Sequence, residues 1–240
     1  MSEPLYIRYR RWELPVLLKH YPGLSLRACQ TSAVRIEGVL EFAAAPSNRE
    51  EIVDRYDIRF DVPESFPRAV PAVYELAGRI PSTFHTNPDR TLCLGSPFRL
   101  AQLLNEAPTL PGFVESCLIP YLYGFSFREK YGVLPFGELA HGVLGVLNEY
   151  RRVFGLSDDH ACLAMIHLAS MKKREANQRI CPCGSGRRLG KCHNRMLNSL
   201  REQLGRPWFQ SEYTSLRKVA PVSVIATSQR PRSVSKRPTS

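Results

Sequence analysis

From Ile52 to Val62 apolar and polar positions alternate, with Ile52, Tyr56, Ile58, Phe60 and Val62 largely opposite Asp57, Arg59 and Asp61. A period of two marks a strand with one face buried and one in water, so this segment is predicted as a half-buried antiparallel strand. Residues 31–42 keep the alternation only in part, through Val34, Ile36, Gly38, Val39 and Phe42, which predicts a strand interrupted by a glycine. A third, short strand is predicted over 72–77. Between the last two lie Pro63, Pro67 and Pro71, which forbid helix and central strand alike and predict an extended, stiff connection. Upstream, residues 13–20 read as a short helix with Pro15 in its first turn, where a missing N–H costs nothing, ending at Pro22-Gly23.

Residues 80–107 show no sustained period. A long irregular stretch inside a compact domain is usually functional, so the chemistry is expected there. The remainder reads as helical. A helix over 113–123 is predicted to bend at Pro120, and Leu139, Val143, Val146, Leu147 and Tyr150 form one apolar helical face. The next helix is predicted to start from Ser157 as cap, with Asp158 and Asp159 in its first turn and Lys172 to Arg174 at its end. Beyond Val219 the chain is rich in Ser, Pro, Arg and Lys and is predicted to be disordered. The pattern as a whole implies an α+β fold, an antiparallel meander sheet with flanking helices.

Charge divides the chain more sharply than hydropathy does. Residues 1–170 carry 17 Lys/Arg against 19 Asp/Glu, and residues 171–240 carry 16 against 3. The first part is near neutral, and any attraction to RNA, ribosomes or acidic partners belongs to residues 171–240. No stretch approaches the roughly 18 apolar residues that would span a bilayer, and the first residues lack the apolar run of a signal peptide. A soluble, cytoplasmic protein without a membrane partner is expected.

Seven cysteines, three of them within twelve residues, do not read as a secreted disulfide framework. Cys181, Cys183, Cys192 and His193 offer four soft or borderline ligands in one compact segment whose glycines can turn the backbone around a tetrahedral ion, which points to zinc. The readings that compete are free or disulfide-bonded thiols without metal, and a phosphate-binding nest at 184–188. The run Cys-Pro-Cys-Gly-Ser-Gly from Cys181, closed by Cys192-His193, closely resembles the SEC-C motif of preprotein translocases. That resemblance implies a structural zinc with all four residues as ligands and no open position. Cys29, Cys117 and Cys162 sit in strand or helix patterns and are expected in the core. Glu138 and His141 are three apart on a predicted helix, where a metal face competes with a simple helix start.

Cys93 lies in the irregular stretch, in His85-Thr86-Asn87-Pro88-Asp89-Arg90-Thr91-Leu92-Cys93-Leu94. Acyl transfer through a cysteine needs an accessible sulfur and a donor for the oxyanion, and a nearby side-chain amide such as Asn87 can be that donor. An inert, buried thiol at Cys93 and plain turn chemistry at His85 and Asn87 are the competing readings. Strand, strand, Phe66-Pro67 with Pro71, strand, then His-x-Asn and Leu-Cys-Leu resembles the ubiquitin-conjugating (UBC) enzymes, more closely their prokaryotic relatives, over residues 10–125. Thr86 stands where that family usually has proline.

The resemblance implies that Cys93 takes a ubiquitin-like C-terminus as a thioester, that Asn87 supports the oxyanion, and that His85 shapes the loop. It also implies a partner in a ubiquitin-like protein or a nucleotidyltransferase C-terminus, an activating enzyme, and a place in a bacterial, antiphage conjugation system. On this reading residues 1–156 form a UBC-like domain with a helical extension. A connecting helix over 157–178, a zinc knuckle over 179–200 and a disordered basic tail over 219–240 follow. Two other functions compete: a non-catalytic scaffold with the same fold, and a ribosome- or nucleic-acid-associated protein working through its basic tail.

Overall fold

The computed structural model describes residues 4–28, 33–46, 49–135 and 142–219. Cys29, the Glu138 and His141 pair and the tail beyond Val219 lie outside them. The chain divides into two compact units, residues 1–138 and 139–240.

In the first unit, helices α1 (Leu5–Arg11) and α2 (Leu14–His20) precede strands β1 (Leu24–Arg27), β2 (Val34–Ala44), β3 (Ile52–Val62) and β4 (Ala72–Glu75). They form one sheet in the order β1-β2-β3-β4, every neighbour antiparallel. The β2–β3 register, Val34 with Val62, Ile36 with Phe60 and Leu40 with Tyr56, places like with like on the inner face. That face is buried, with Ile36, Leu40, Ile58 and Val62 all fully inaccessible. At Gly38 the backbone takes φ +143°, and a Cβ there would lie 2.1 Å from the carbonyl oxygen of Gly23, so β1 reaches β2 only because this residue has no side chain.

The prolines between β3 and β4 do not give the extended connection that the sequence suggests. Phe66 N–H bonds to the Pro63 carbonyl and Arg68 N–H to that of Ser65, folding the segment into consecutive turns, with a cis Phe66-Pro67 bond. The turns bury Phe66 against Trp12, edge to face, and Trp12 Nε1 donates to the Phe66 carbonyl at 3.1 Å. Tertiary packing of an aromatic pair overrides the local stiffness of three prolines.

After β4 come α3 (Pro97–Glu106), α4 (Leu110–Phe113), a π turn (Val114–Leu118) and α5 (Ile119–Tyr131). The irregularity in this helical run is the π turn that ends at Leu118, just before Pro120. A proline has no N–H for the carbonyl four residues earlier and its ring crowds that carbonyl, so the preceding turn widens. Helix α3 lies inside the stretch read as irregular. Its start was marked all the same: Ser96 Oγ accepts from Arg99 N–H at 3.1 Å, and Pro97 occupies the first turn.

A polar network ties α5 to the sheet. Arg79 donates to both carboxylate oxygens of Asp54, at 2.9 and 2.8 Å, and Ser126 Oγ donates to Asp54 Oδ2 at 2.7 Å. Burial raises the Asp54 pKa, but hydrogen bonds from Arg79, Ser126 and the Arg55 N–H outweigh it and hold the carboxyl at about 2, against 3.8 ordinarily. A depressed carboxyl stabilises the fold above its unfolded value and ceases to do so as pH falls through its folded value. In acid denaturation followed from pH 6 to 2, the stability advantage of wild type over Asp54→Asn should therefore hold above roughly pH 4 and shrink toward pH 2. A pH-independent difference would mean that the network contributes by shape alone.

The second unit contains α6 (Gly142–Phe154), α7 (Asp159–Ser170), α8 (Lys173–Gln178), a 3₁₀ turn (Leu189–Lys191), α9 (Asn194–Leu204) and α10 (Arg206–Val219). Helix α6, expected as an extension of the first domain, groups with this unit. Helix α7 is capped by Asp158, not Ser157, with Asp158 Oδ2 accepting from Ala161 N–H at 2.9 Å. It stops at Ser170, short of the predicted basic end. The last carbonyls of α7 are taken instead by distant arginines: Arg201 donates to Leu168, Ala169 and Met171, and Arg206 to Ser170. Among the described residues no helix is long and apolar enough to cross a membrane.

Candidate functional site

The two predicted sites fall in different units. In the second, residues 179–189 fold back on themselves. Cys181 N–H donates to the Arg187 carbonyl and Leu189 N–H to that of Arg179, both at 2.8 Å, with Ile180 bridged to Arg188. The tip turns through Gly184 and Gly186 at φ +79° and +70°, a conformation that side chains with a Cβ rarely accept. The 3₁₀ turn then closes with Cys192 N–H on the Leu189 carbonyl, which brings Cys192 and His193 back over the hairpin at the start of α9.

The result is a Cys3His cluster in which all four ligand atoms lie within 4.8 Å of one another. His193 Nδ1 is 3.2 Å from the sulfurs of both Cys181 and Cys192, and the Cys183 and Cys192 sulfurs are 3.5 Å apart. A tetrahedral zinc with Zn–S bonds of about 2.3 Å needs sulfurs about 3.8 Å apart, so the four residues fit that ion. Cys181 is buried and Cys183 and Cys192 are half-buried. Burial pushes the Cys181 thiol up, whereas the Ser185 hydroxyl, 3.2 Å from the Cys183 sulfur, draws that thiol down. Such crowding opposes several thiolates together unless a cation shares the space.

In the first unit the chain after β4 makes a small hairpin. Thr86 bridges Leu92, Asn87 N–H donates to the Thr91 carbonyl at 2.8 Å, and Cys93 N–H donates to the His85 carbonyl at 2.7 Å. Leu92 N–H donates in turn to Val73 on β4, which fixes the hairpin to the sheet. Alternation carries Asn87, Thr91 and Cys93 on one face and buried Leu92 on the other. The expectation of a wholly irregular loop is thereby corrected.

Within the hairpin the hydrogen bonds have a direction. Thr91 Oγ1 donates to Asp89 Oδ1 at 2.6 Å, so its oxygen is left to accept, and it accepts from Asn87 Nδ2 at 2.9 Å. That uses one of the two amide protons. Cys93 is a half-buried free thiol and Asn87 is exposed. Tyr121 on α5 donates to the carbonyls of Phe84 and His85, at 3.1 and 3.2 Å, and so holds the strand that faces Cys93. Burial pushes the Tyr121 hydroxyl upward, keeping it a donor. Asp89, Thr91 and Tyr121 were not singled out from the sequence. The Asp-x-Thr turn was there to be read; for Tyr121, 28 residues from Cys93, no local signal exists. Cys117 and Cys162 are buried, as expected of core cysteines.

The family model of the SEC-C motif matches residues 180–195. Neither curated proteins nor solved structures give a match. Fold and cluster together define an α+β protein with a four-stranded antiparallel sheet and, near its C-terminus, a SEC-C motif of the zinc-binding type.

Proposed function

We propose that this protein is an acyltransferase of the ubiquitin-conjugating type, with Cys93 as the acyl carrier, and that its Cys3His cluster holds a structural zinc. The observation that carries the first part is the order of pieces: a β1–β4 meander, then a hairpin pinned to β4 that presents a half-buried thiol and a side-chain amide on one face. It is the order that the ubiquitin-conjugating resemblance implies.

The chemistry follows from those groups. The Cys93 thiolate attacks the carbonyl of a thioester at the C-terminus of a ubiquitin-like protein or nucleotidyltransferase. A C–S bond forms to Cys93, the tetrahedral oxyanion is met by the free N–H of Asn87, and the donor thiolate leaves. An amine on the target then attacks, giving an amide, freeing the Cys93 thiolate and losing its proton to solvent. Each step is redox-neutral. His85 supplies the carbonyl that fixes the Cys93 backbone. With three thiolates and one imidazole as ligands the zinc keeps no open position, so its work is to hold the knuckle together.

Intact mass spectrometry tests the reading on protein purified without reductant from cells expressing its neighbouring genes, a system we place in bacterial antiphage defence. A protein-sized adduct should be thiol-labile on wild type, persist as an ester on Cys93→Ser and vanish in Cys93→Ala. Absence of any adduct would leave the fold as a non-catalytic scaffold.

A second reading has its own support. Among the described residues no ion pair includes a Lys or Arg of 172–218, and Lys172, Lys173, Arg174, Lys191 and Arg195 are exposed. The second unit therefore offers basic side chains to RNA, a ribosome or an acidic protein. Steep loss of RNA binding with salt, abolished by removing residues 171–240, would favour it.

A further inference from the structure

Three protonless thiolates around a dication and a neutral imidazole leave the centre with one net negative charge. The centre lies partly out of water, with Cys181 1% exposed, so that charge needs a partner. Two side chains outside the ligand set reach the sulfurs. Arg187 Nη2 is 3.8 Å from Cys192 Sγ, and Ser185 Oγ lies 3.2 Å from Cys183 Sγ and 3.4 Å from Cys192 Sγ.

Their donor roles are set by what surrounds them. Ser185 Oγ accepts from the Arg187 N–H at 3.4 Å and from the Cys183 thiol, which leaves its one hydroxyl proton for the Cys192 sulfur. A guanidinium has only donors. In a loaded site every thiol proton is gone, and both groups necessarily donate to thiolate. The backbone of Arg187 is tied to the same site, because its own carbonyl accepts from Cys181 N–H at 2.8 Å. The residue that grips one ligand through its backbone thus covers another with its charge. Its neighbour Arg188 carries the same charge but turns away to Gln178 Oε1 at 2.8 Å.

We propose that Arg187, assisted by Ser185, is a positioning residue of the metal centre that neutralises the anionic zinc–thiolate cluster at Cys192. The inference rests on the zinc reading and is independent of Cys93. It also separates Arg187 from the basic residues left to recruit a partner: its guanidinium is committed to sulfur.

The test is competition for zinc between a chromogenic chelator and the full-length protein, at fixed pH and salt, with wild type, Arg187→Ala, Arg187→Lys and Arg188→Ala. Losing a partner of a metal ligand typically weakens metal binding about 10- to 100-fold. We expect roughly the lower figure for Arg187→Ala at this half-exposed site. Arg188→Ala should stay near wild type, and Arg187→Lys, which keeps the charge, should recover most of the loss. With cobalt in place of zinc, Arg187→Ala alone should shift the sulfur-to-metal charge-transfer band.

Equal losses from Arg187→Ala and Arg188→Ala would show a general field of positive charge and overturn the proposal. So would no loss and no spectral shift. Wild type that fails to take up zinc in the same assay would remove the zinc reading itself, and the proposal with it. That outcome is distinct from a zinc-binding wild type indifferent to Arg187.

Discussion

Replacing Cys181 with serine, or stripping the metal with a chelator, should abolish the ordered structure of residues 179–193. The segment has little else to hold it. Among its buried side chains are only Cys181 and Leu189, and its tip runs through two glycines in a conformation other residues resist. Structural zinc in small knuckles is worth on the order of 10 kcal/mol of folding free energy at neutral pH, far more than two buried side chains return. The loss should appear in hydrogen exchange at three amides: Cys181, bonded to Arg187; Leu189, bonded to Arg179; and Cys192, bonded to Leu189. All three should be protected in zinc-loaded wild type and exchange freely in Cys181→Ser, with metal content falling from one zinc per chain to none. Because thiolates must lose protons to bind, acidification should release the zinc as well. Protection that survives chelation would show that the hairpin bonds alone hold the knuckle.

The second large effect belongs to Asn87. If its amide meets the oxyanion, Asn87→Ala should slow acylation of Cys93 by a small glycyl thioester by roughly 10²- to 10³-fold, the usual cost of one oxyanion donor. Alkylation of the same thiol by iodoacetamide passes through no oxyanion and should be unaffected. The two rates together separate a catalytic amide from a structural one. The Asn87 side chain also bonds Thr91 across the hairpin, and loosening that turn would alter both reactions alike. A parallel fall in both rates would reduce Asn87 to turn chemistry, and no change in either would remove it from the site.

Much of the sheet was legible because burial on one face forces a period of two. The predicted span 52–62 coincides with β3, whose inner residues meet those of β2 in a register that keeps the apolar set together. β1, only four residues long and too short to show a period, is absent from the sequence reading, and the strand predicted over 72–77 ends as β4 at Glu75. The metal cluster was readable for a different reason: its ligands are packed into thirteen consecutive residues, so covalent proximity does most of the work.

What the sequence by itself determined is therefore local. It specified the alternation of β3, a glycine interrupting the strand before it, and four ligands close enough in the chain to reach one ion. Tertiary structure alone decided the rest. It folded the Pro63–Pro71 segment around Trp12, brought Tyr121 to the carbonyls behind Cys93, and set Arg201 and Arg206 on the end of α7. The physical reason is common to all three. Each contact is made by groups 30 or more residues apart, whose partners were chosen by which hydrogen-bonding groups burial left unsatisfied, and no periodicity along the chain records that choice.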